Sequence, residues 1–532
     1  MARGRVHWAA RENASWRERW IPAAPRISIN NEELPATDRP RSSQMTPTTP
    51  HINRWRAFAL LAVAYFMTCV DLTVVNVSLP TIGRDLRFSV TSLQWVVTAY
   101  ALAYGGFLLL GGRIADLFGR RRVLMSALGV FGAASLACAL APSDAVLIGS
   151  RAIQGLGAAV MLPTAMSIVT SIFDEGPERN KALGIWGALG ATGGTVGLLT
   201  GGLITRYLGW QYIFYLNVPI GALALALAPR LLPRGASSTA NRRFDLPGAL
   251  AGTGGLVLLA DAISQSPQYG WGAARTVALL AAAVVLLVAF VVIESRSKSP
   301  IVPLSIFRLR LLTGAITAGL LIGGSFFAFL FIGTLYMQQV LHFSALQTGL
   351  AWMSGSVPSI VFAGVSQRLV TRRGPKVALG IGACLVASGV IWGTQIPVHG
   401  HFLENLAGPF VLAGAGTAFS FIPISIAVLA GVRQRQAGLA SGLMNTSIQL
   451  GAALGIAVAS SVAASNTKAL LRTGAAGPAA LAAGYHHALW LLGGIALLAL
   501  PVTLALVRRN HPVEVAHTSA VGAVEPALAA TS

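Results

Sequence analysis

With 532 residues, 54% of them hydrophobic and only 11% charged, and a mean hydropathy of +0.66, the chain lies far from soluble domains, where about 25% of residues are charged. That composition excludes a soluble domain and predicts an all-α integral membrane protein, because lipid offers no partners to backbone N–H and C=O groups. The formal net charge of +21 would suit a nucleic-acid partner, but the cations are sorted by loop, and no nucleic acid is expected.

Residues 1–56 hold ten arginines, five acidic residues, Trp8, Trp16, Trp20 and several prolines before the first apolar run. A segment of this kind buries no core and is expected to be a disordered cytoplasmic tail, with Met45 as a second plausible start. Fourteen apolar segments follow, each near the roughly 20 residues that a helix needs to cross a bilayer. Their cores fall at 57–79, 93–112, 123–141, 146–170, 182–205, 211–229, 247–265, 275–294, 312–338, 347–368, 376–396, 407–431, 437–463 and 485–507. The loops at 113–122, 174–181, 230–245, 295–310, 371–376 and 432–436 carry nineteen Lys and Arg, the alternate loops six. Positive charge marks the cytoplasmic side, so both termini, including a tail at 508–532, are expected there, in a multi-pass protein of the plasma membrane.

In the first span Asp71 stands within Val70-Asp71-Leu72-Thr73-Val74-Val75-Asn76-Val77-Ser78-Leu79-Pro80, with no cation nearby in sequence. A bare carboxylate at membrane depth costs about 2.5–3.5 kcal/mol, so it is expected to face a polar cavity and bind something, most simply a proton. After the second span comes Gly112-Arg113-Ile114-Ala115-Asp116-Leu117-Phe118-Gly119-Arg120-Arg121-Arg122. Here Gly112 and Gly119 suit a tight turn and close helix approach, and Asp116 suits a helix N-terminus. The fourth span holds Arg151 and Gln154 on one face, and the fifth repeats glycine at Gly187, Gly190, Gly194, Gly197, Gly201 and Gly202, a smooth face for a neighbouring helix. Asp261 in the seventh span suits either a cationic ligand or the external interface, and Glu294 ends the eighth beside Arg296. The aromatic and soft residues Tyr100, Tyr104, Trp186, Phe326, Phe327, Tyr336, Met337 and Trp352 suit either an adaptable wall or ordinary packing. Asn445 and Gln449 share a face of the thirteenth span. An echo of the first loop, Arg368-Leu369-Val370-Thr371-Arg372-Arg373-Gly374-Pro375-Lys376, lies 255 residues after Arg113, with Thr371 in the place of Asp116.

These motifs resemble those of the major facilitator superfamily, and fourteen spans narrow the resemblance to its drug/proton antiporters. The first loop is similar to G-x-L-A-D-R-x-G-R-K, with Leu117 in place of a basic residue. Asp71 to Pro80 resembles L-D-x-T-I-V-N-V-A-L-P. Arg151 to Ala159 resembles R-x-x-Q-G-x-G-A-A, and Gly209 to Gly221 resembles G-W-R-W-I-F-x-I-N-V-P-I-G with Gln211 in place of arginine. The fifth-span antiporter pattern G-P-x-x-G-G is met only in part, because Gly197 is followed by Leu198 before Gly201 and Gly202, and a straighter helix is expected. The resemblance implies two pseudo-symmetric six-helix halves, 57–229 and 312–507, with an inserted two-helix hairpin in the 230–311 linker. It also implies that the loop of Gly112, Asp116, Gly119, Arg120 and Arg121 gates the transporter. Asp71 and Arg151 would take part in coupling, recognition or proton handling, the alternative being a static ion pair.

No G-x-x-x-x-G-K-[ST] loop is present, and no His or Cys cluster has metal-ligand spacing, so no enzyme activity, cofactor or metal is expected. Cys69, Cys138 and Cys384 read as small packing residues within spans. The expected function is a monomeric exporter of small amphiphilic drugs or antibiotics in exchange for protons, in contact with membrane lipids. The alternatives are a proton-coupled or facilitative metabolite transporter and a non-transporting receptor or scaffold.

Overall fold

The computed structural model describes residues 53–89, 92–174, 176–233, 246–297, 300–430, 432 and 437–506. The two expected tails lie almost wholly outside them. The apolar runs fold as helices α1 (Arg54–Asp85), α2 (Trp95–Phe118), α3 (Arg120–Ala139), α4 (Asp144–Ile172) and α5 (Pro177–Tyr207). Helices α6 (Gln211–Tyr215) and α7 (Asn217–Leu231) together make one span, and α8 (Leu246–Tyr269) with α9 (Ala274–Arg296) makes the inserted hairpin. Six more follow: α10 (Arg310–Gln339), α11 (Ala345–Arg373), α12 (Pro375–Trp392), α13 (Ala407–Ala430), α14 (Ala437–Arg472) and α15 (Gly477–Leu506). Among the described residues, 13 helical stretches are long and apolar enough to cross a membrane. The expected count of fourteen is reached only with α5, which has the length, 31 residues, but is not among those 13.

The helix ends follow local chemistry. Asn53 Oδ1 accepts the N–H groups of Trp55 and Arg56 to start α1, and Ser344 with Gln347 forms a capping box for α11. Gly119 turns α2 into α3 at φ 92°, and Gly374 turns α11 into α12 at φ 80°, left-handed values that suit glycine. These two turns sit at the same place in the sequence repeat, which gives the internal echo a structural counterpart.

The first six spans pack on one another, as do the last six, and α8 lies against α9, α2 and α14. Short loops make successive spans antiparallel, so α1 begins and α15 ends at one face of the bundle, called here the terminal face. The two groups meet mainly toward the opposite face. There Gln338 Nε2 donates to the Val77 carbonyl at 2.7 Å, and Gly202 and Gly349 bring α5 and α11 into backbone contact. Midway, Thr446 Oγ1 of α14 donates to Gly105 O of α2 at 3.0 Å. Toward the terminal face α11 is bare over most of its circumference, with Val357, Ile360, Val361, Phe362 and Val365 exposed. The bundle is therefore closed at the far face and parted between α5 and α11 at the terminal face.

Candidate functional site

Asp71 sits midway along α1 on the side turned toward α4 and α7, and it is completely buried. Three side-chain donors converge on its carboxylate. Arg151 Nη1 meets Oδ2 at 2.7 Å, while Gln154 Nε2 and Asn217 Nδ2 meet Oδ1 at 2.8 and 2.9 Å. Arg151 is itself held from several directions. Its Nε donates to the Val96 carbonyl at 3.0 Å, its Nη1 donates also to Gln154 Oε1 at 2.7 Å, and its guanidinium lies 4.2 Å from the Tyr100 ring centre and 5.8 Å from that of Phe214. Ser135 Oγ accepts from Gln154 Nε2 at 2.8 Å and, at 3.5 Å, from Asn217 Nδ2. Cys138 Sγ lies 3.8 Å from Gln154 Oε1.

The sequence logic of the site is helical spacing. Arg151 and Gln154 are three apart on α4, so one face presents both, and the short break at Leu216 between α6 and α7 sets Asn217 opposite them. A buried ion pair at this depth persists because the Asp71 carboxylate accepts three side-chain hydrogen bonds and Arg151 donates to the Val96 carbonyl and to Gln154 as well. The arrangement can hold an ionised carboxylate without solvent. A proton on either carboxylate oxygen would displace a donor and remove the charge that holds the guanidinium.

The site brings together Asp71, Arg151 and Gln154, as their helical faces lead one to expect, but not in an open cavity. The expectation that both faces line a cavity fails in this conformation because Tyr100, Phe214, Ser135 and Asn217 fill the space. Asp261 stands apart on α8, half-buried, accepting from Gln265 of its own helix at 2.8 Å. Asn217 and Ser135 were missed as site residues. Asn217 had a signal, since it stands in the quoted Gly209–Gly221 motif, whereas Ser135 looks like any serine of a span.

The glycine face of α5 divides its work. A Cβ on Gly197 would meet the Val70 carbonyl at 2.7 Å and one on Gly201 the Val74 carbonyl at 2.6 Å, so α5 rests on the α1 turn that carries Asp71. Gly202 instead faces the second group of spans, where a Cβ would meet the Ala345 carbonyl at 2.7 Å. Helix α5 runs unbroken past Leu198, as the missing proline leads one to expect.

In the α2–α3 turn, Arg120 Nη1 donates to the Ser167 carbonyl at 3.2 Å and Arg121 is half-buried. The side chain of Asp116 lies outside the described residues. The role expected of Gly112 in close helix approach belongs to Gly111: a Cβ on Gly112 would meet Pro163 at an ordinary 3.5 Å, whereas one on Gly111 would overlap the Ala159 backbone. Of the aromatic residues, Trp352 stacks on Phe410 with ring centres 4.2 Å apart, Tyr336 donates to the Ile396 carbonyl at 2.6 Å, and Met337 is fully buried, so these three serve packing. Trp186 stacks on Tyr65 at 4.3 Å, and Phe326 and Phe327 are half-buried. Asn445 bonds within its own helix, to Ser441 O at 3.0 Å, and Gln449 is buried where α14 meets Gly105. Among the described residues no group of His, Cys, Asp and Glu is placed to hold a metal ion.

Known proteins resemble this chain in sequence or in fold. The chain is 37% identical over 485 residues to the puromycin resistance protein pur8 of Streptomyces alboniger, covering 90% of this chain and 96% of that one. It is 39% identical over 473 residues to the cephamycin export protein CmcT of Amycolatopsis lactamdurans, covering 87% and 95%. The multidrug resistance protein Stp of Mycobacterium tuberculosis is 34% identical over 427 residues, 79% of this chain and 78% of that one. Among solved structures, the POT family transporter PepTSo superposes with a TM-score of 0.63 at 15% identity, over 85% of this chain and 98% of that one. A bacterial homologue of the human lysosomal transporter Spinster, solved in an inward-facing and unoccupied conformation, does so with a TM-score of 0.60 at 16% identity, over 86% of this chain and 99% of that one. Residues 61–456 match the profile of the Major Facilitator Superfamily, and the chain belongs to that family of membrane transporters.

Proposed function

We propose that the chain exports small amphiphilic drugs or antibiotics from the cytoplasm in exchange for protons, as a monomer in the plasma membrane with both ends cytoplasmic. Export is supported by full-length relatives named for antibiotic resistance and export. Proton coupling rests on one observation, the solvent-free carboxylate of Asp71 with Arg151, Gln154 and Asn217 aimed at it. Burial favours a protonated carboxyl and a nearby cation favours the ionised one, so a change in the Arg151 contact loads or releases a proton.

The two six-span groups, 57–229 and 312–507, act as halves that rock about a central site, with the α8–α9 hairpin carried between them. With the terminal face cytoplasmic, the described form is open inward, and its donor-saturated Asp71 fits the stage after proton release to the cytoplasm. Protonation from outside would loosen Arg151 from α1. Because Val70 and Val74 flank Asp71 and face Gly197 and Gly201, a shift of that α1 turn would move α5 against α11. The gating residues Gly112, Asp116, Gly119, Arg120 and Arg121 would permit the complementary motion at the terminal face.

Reconstituted protein in vesicles with an imposed pH gradient tests this reading. Gradient-driven accumulation of a cationic dye should collapse in Asp71→Asn while dye binding persists, and Asp71→Glu should retain part of the rate. Uphill accumulation by the Asn protein at the parental rate would make Asp71 structural and Asp261 the next carboxylate to test. The absence of the antiporter proline at Leu198 favours a second reading, facilitated transport of a metabolite, in which flux equilibrates its solute and ignores the pH gradient.

A further inference from the structure

Among the described residues, helix α9 is the most exposed span. Of its residues only Thr276, Ala283 and Glu294 are buried, so its single carboxylate is one of the few side chains that it turns inward. Glu294 is 3% exposed, and its two oxygens accept the backbone N–H groups of Ile301 at 3.2 Å and Val302 at 3.3 Å. A carboxylate in that position fixes the segment 300–302 as a strap beneath the hairpin, since a buried acid left unpaired would be costly. The carbonyl of Pro300, the residue next in line, accepts from Arg113 Nη1 at 3.3 Å. Arg113 stands on the last turns of α2, just before the gating turn at Gly119. On its other side the strap leads into the turn Leu304–Arg308, which buries Ile306 and packs against α10 of the second half.

A chain of contacts thus runs from the inserted hairpin through Glu294 and the strap to the gating loop of one half, and through the turn at Ile306 to α10 of the other. It is seen in the form that is open at the terminal face. We propose that Glu294 is a positioning residue of the gating apparatus: it holds the Pro300 carbonyl as the acceptor for Arg113, and so makes the hairpin stabilise the terminal-open form. The inserted pair of helices then sets the balance between the two states of the transporter and is not a passive addition to the fold. This inference rests on the alternating-access reading, but not on Asp71, on protons or on the direction of export.

The test reads conformation and not flux. Nitroxide labels go on Gly184→Cys of α5 and Gly364→Cys of α11, where a side chain meets open space, in full-length protein with Cys69, Cys138 and Cys384 replaced by serine, held in lipid nanodiscs. Electron–electron resonance distances then report the ratio of terminal-closed to terminal-open molecules. Glu294→Ala should raise that ratio about tenfold, the scale of one hydrogen bond to a charged donor, and Glu294→Gln, which keeps one acceptor oxygen, should raise it less. Arg113→Ala should shift the ratio in the same direction, and Glu294→Ala combined with Arg113→Ala should shift it by clearly less than the sum of the two, because both act through the Pro300 contact. Unchanged distances in a folded Glu294→Ala protein, or shifts that add in the double variant, would overturn the proposal. If Glu294→Ala does not insert, the same cycle run with Glu294→Gln decides the matter by the same additivity. Loss of coupling in Asp71→Asn leaves all of these outcomes readable, so the two readings fail separately.

Discussion

Arg151 is the most constrained side chain of the site, because one guanidinium satisfies the Val96 carbonyl, the Asp71 carboxylate and Gln154 while lying against two aromatic rings. Arg151→Ala leaves an unpaired buried carboxylate and should lower stability by about 3–5 kcal/mol, whereas Asp71→Asn, which keeps the shape and removes the charge, should lose coupling before it loses stability. Arg151→Lys keeps the charge but has no second nitrogen to reach Val96, and should fall between them. Asn217→Ala removes one of three donors and should cost about 1–3 kcal/mol. Melting of the purified protein in detergent, read beside flux in vesicles, checks the order. The site was legible in the sequence as far as ionisable and motif residues reach. Asp71 announces itself by its cost in lipid, and Arg151 and Gln154 by their spacing, but Asn217 and Ser135 join through tertiary contact between α3, α4 and α7. Glu294 is hidden for a similar reason: a terminal acid beside Arg296 looks like an interfacial charge, and only the fold turns it against the strap.

Helix α5 shows how one element separates stability from switching. A methyl group at Gly197 or Gly201 meets α1 backbone, so Gly197→Ala and Gly201→Ala should force α5 off the Asp71 turn and reduce both folded yield and flux. Gly202→Ala meets the backbone of α11 instead, and should weaken closure at the far face while leaving the first half folded. Gly129→Ala, where a Cβ meets nothing within 4 Å, is the control and should gain up to about 1 kcal/mol from helix propensity. Gly119 is glycine for a different reason: at φ 92° an alanine would cost about 1–3 kcal/mol of strain, and the tight α2–α3 turn would reshape while the other loop cations still direct insertion. Flux should therefore fall more than the amount of inserted protein, as it should also for Asp116→Asn. The spans themselves were readable because length and apolarity are properties of a segment alone. The glycine contacts of α5 were visible only as a pattern, since a smooth face does not say which backbone will lie on it. The same limit holds on α2, where the close approach falls to Gly111 and not to Gly112.

At the scale of the whole molecule, the form described is joined toward the far face by Gln338 with Val77 and by Gly202 and Gly349 with the facing backbone, and it is parted where α11 is bare. If these joints open once per cycle, fastening them must stop transport without unfolding either half. Leu203 of α5 and Leu350 of α11, 39% and 48% exposed, flank the glycine contact and leave it intact when replaced. Leu203→Cys with Leu350→Cys, in a protein whose native cysteines are serine, offers two thiols to a short cleavable bifunctional reagent. Cross-linked protein should lose nearly all turnover, keep its terminal face reactive at Gly364→Cys toward a soluble maleimide, and regain flux when the linker is cleaved. Each single-cysteine protein should be indifferent to the reagent. The orientation expected from the loop cations is checked on the same preparation, since an impermeant reagent applied to intact cells should label a cysteine placed after Arg509 only once the membrane is opened. Full flux through completely cross-linked protein would mean that α5 and α11 do not separate at the far face. The closed contact would then be a permanent seam of the fold, and the movement that admits substrate would have to run along α2 and α14, where Thr446 and Gly105 form the other bridge between the groups.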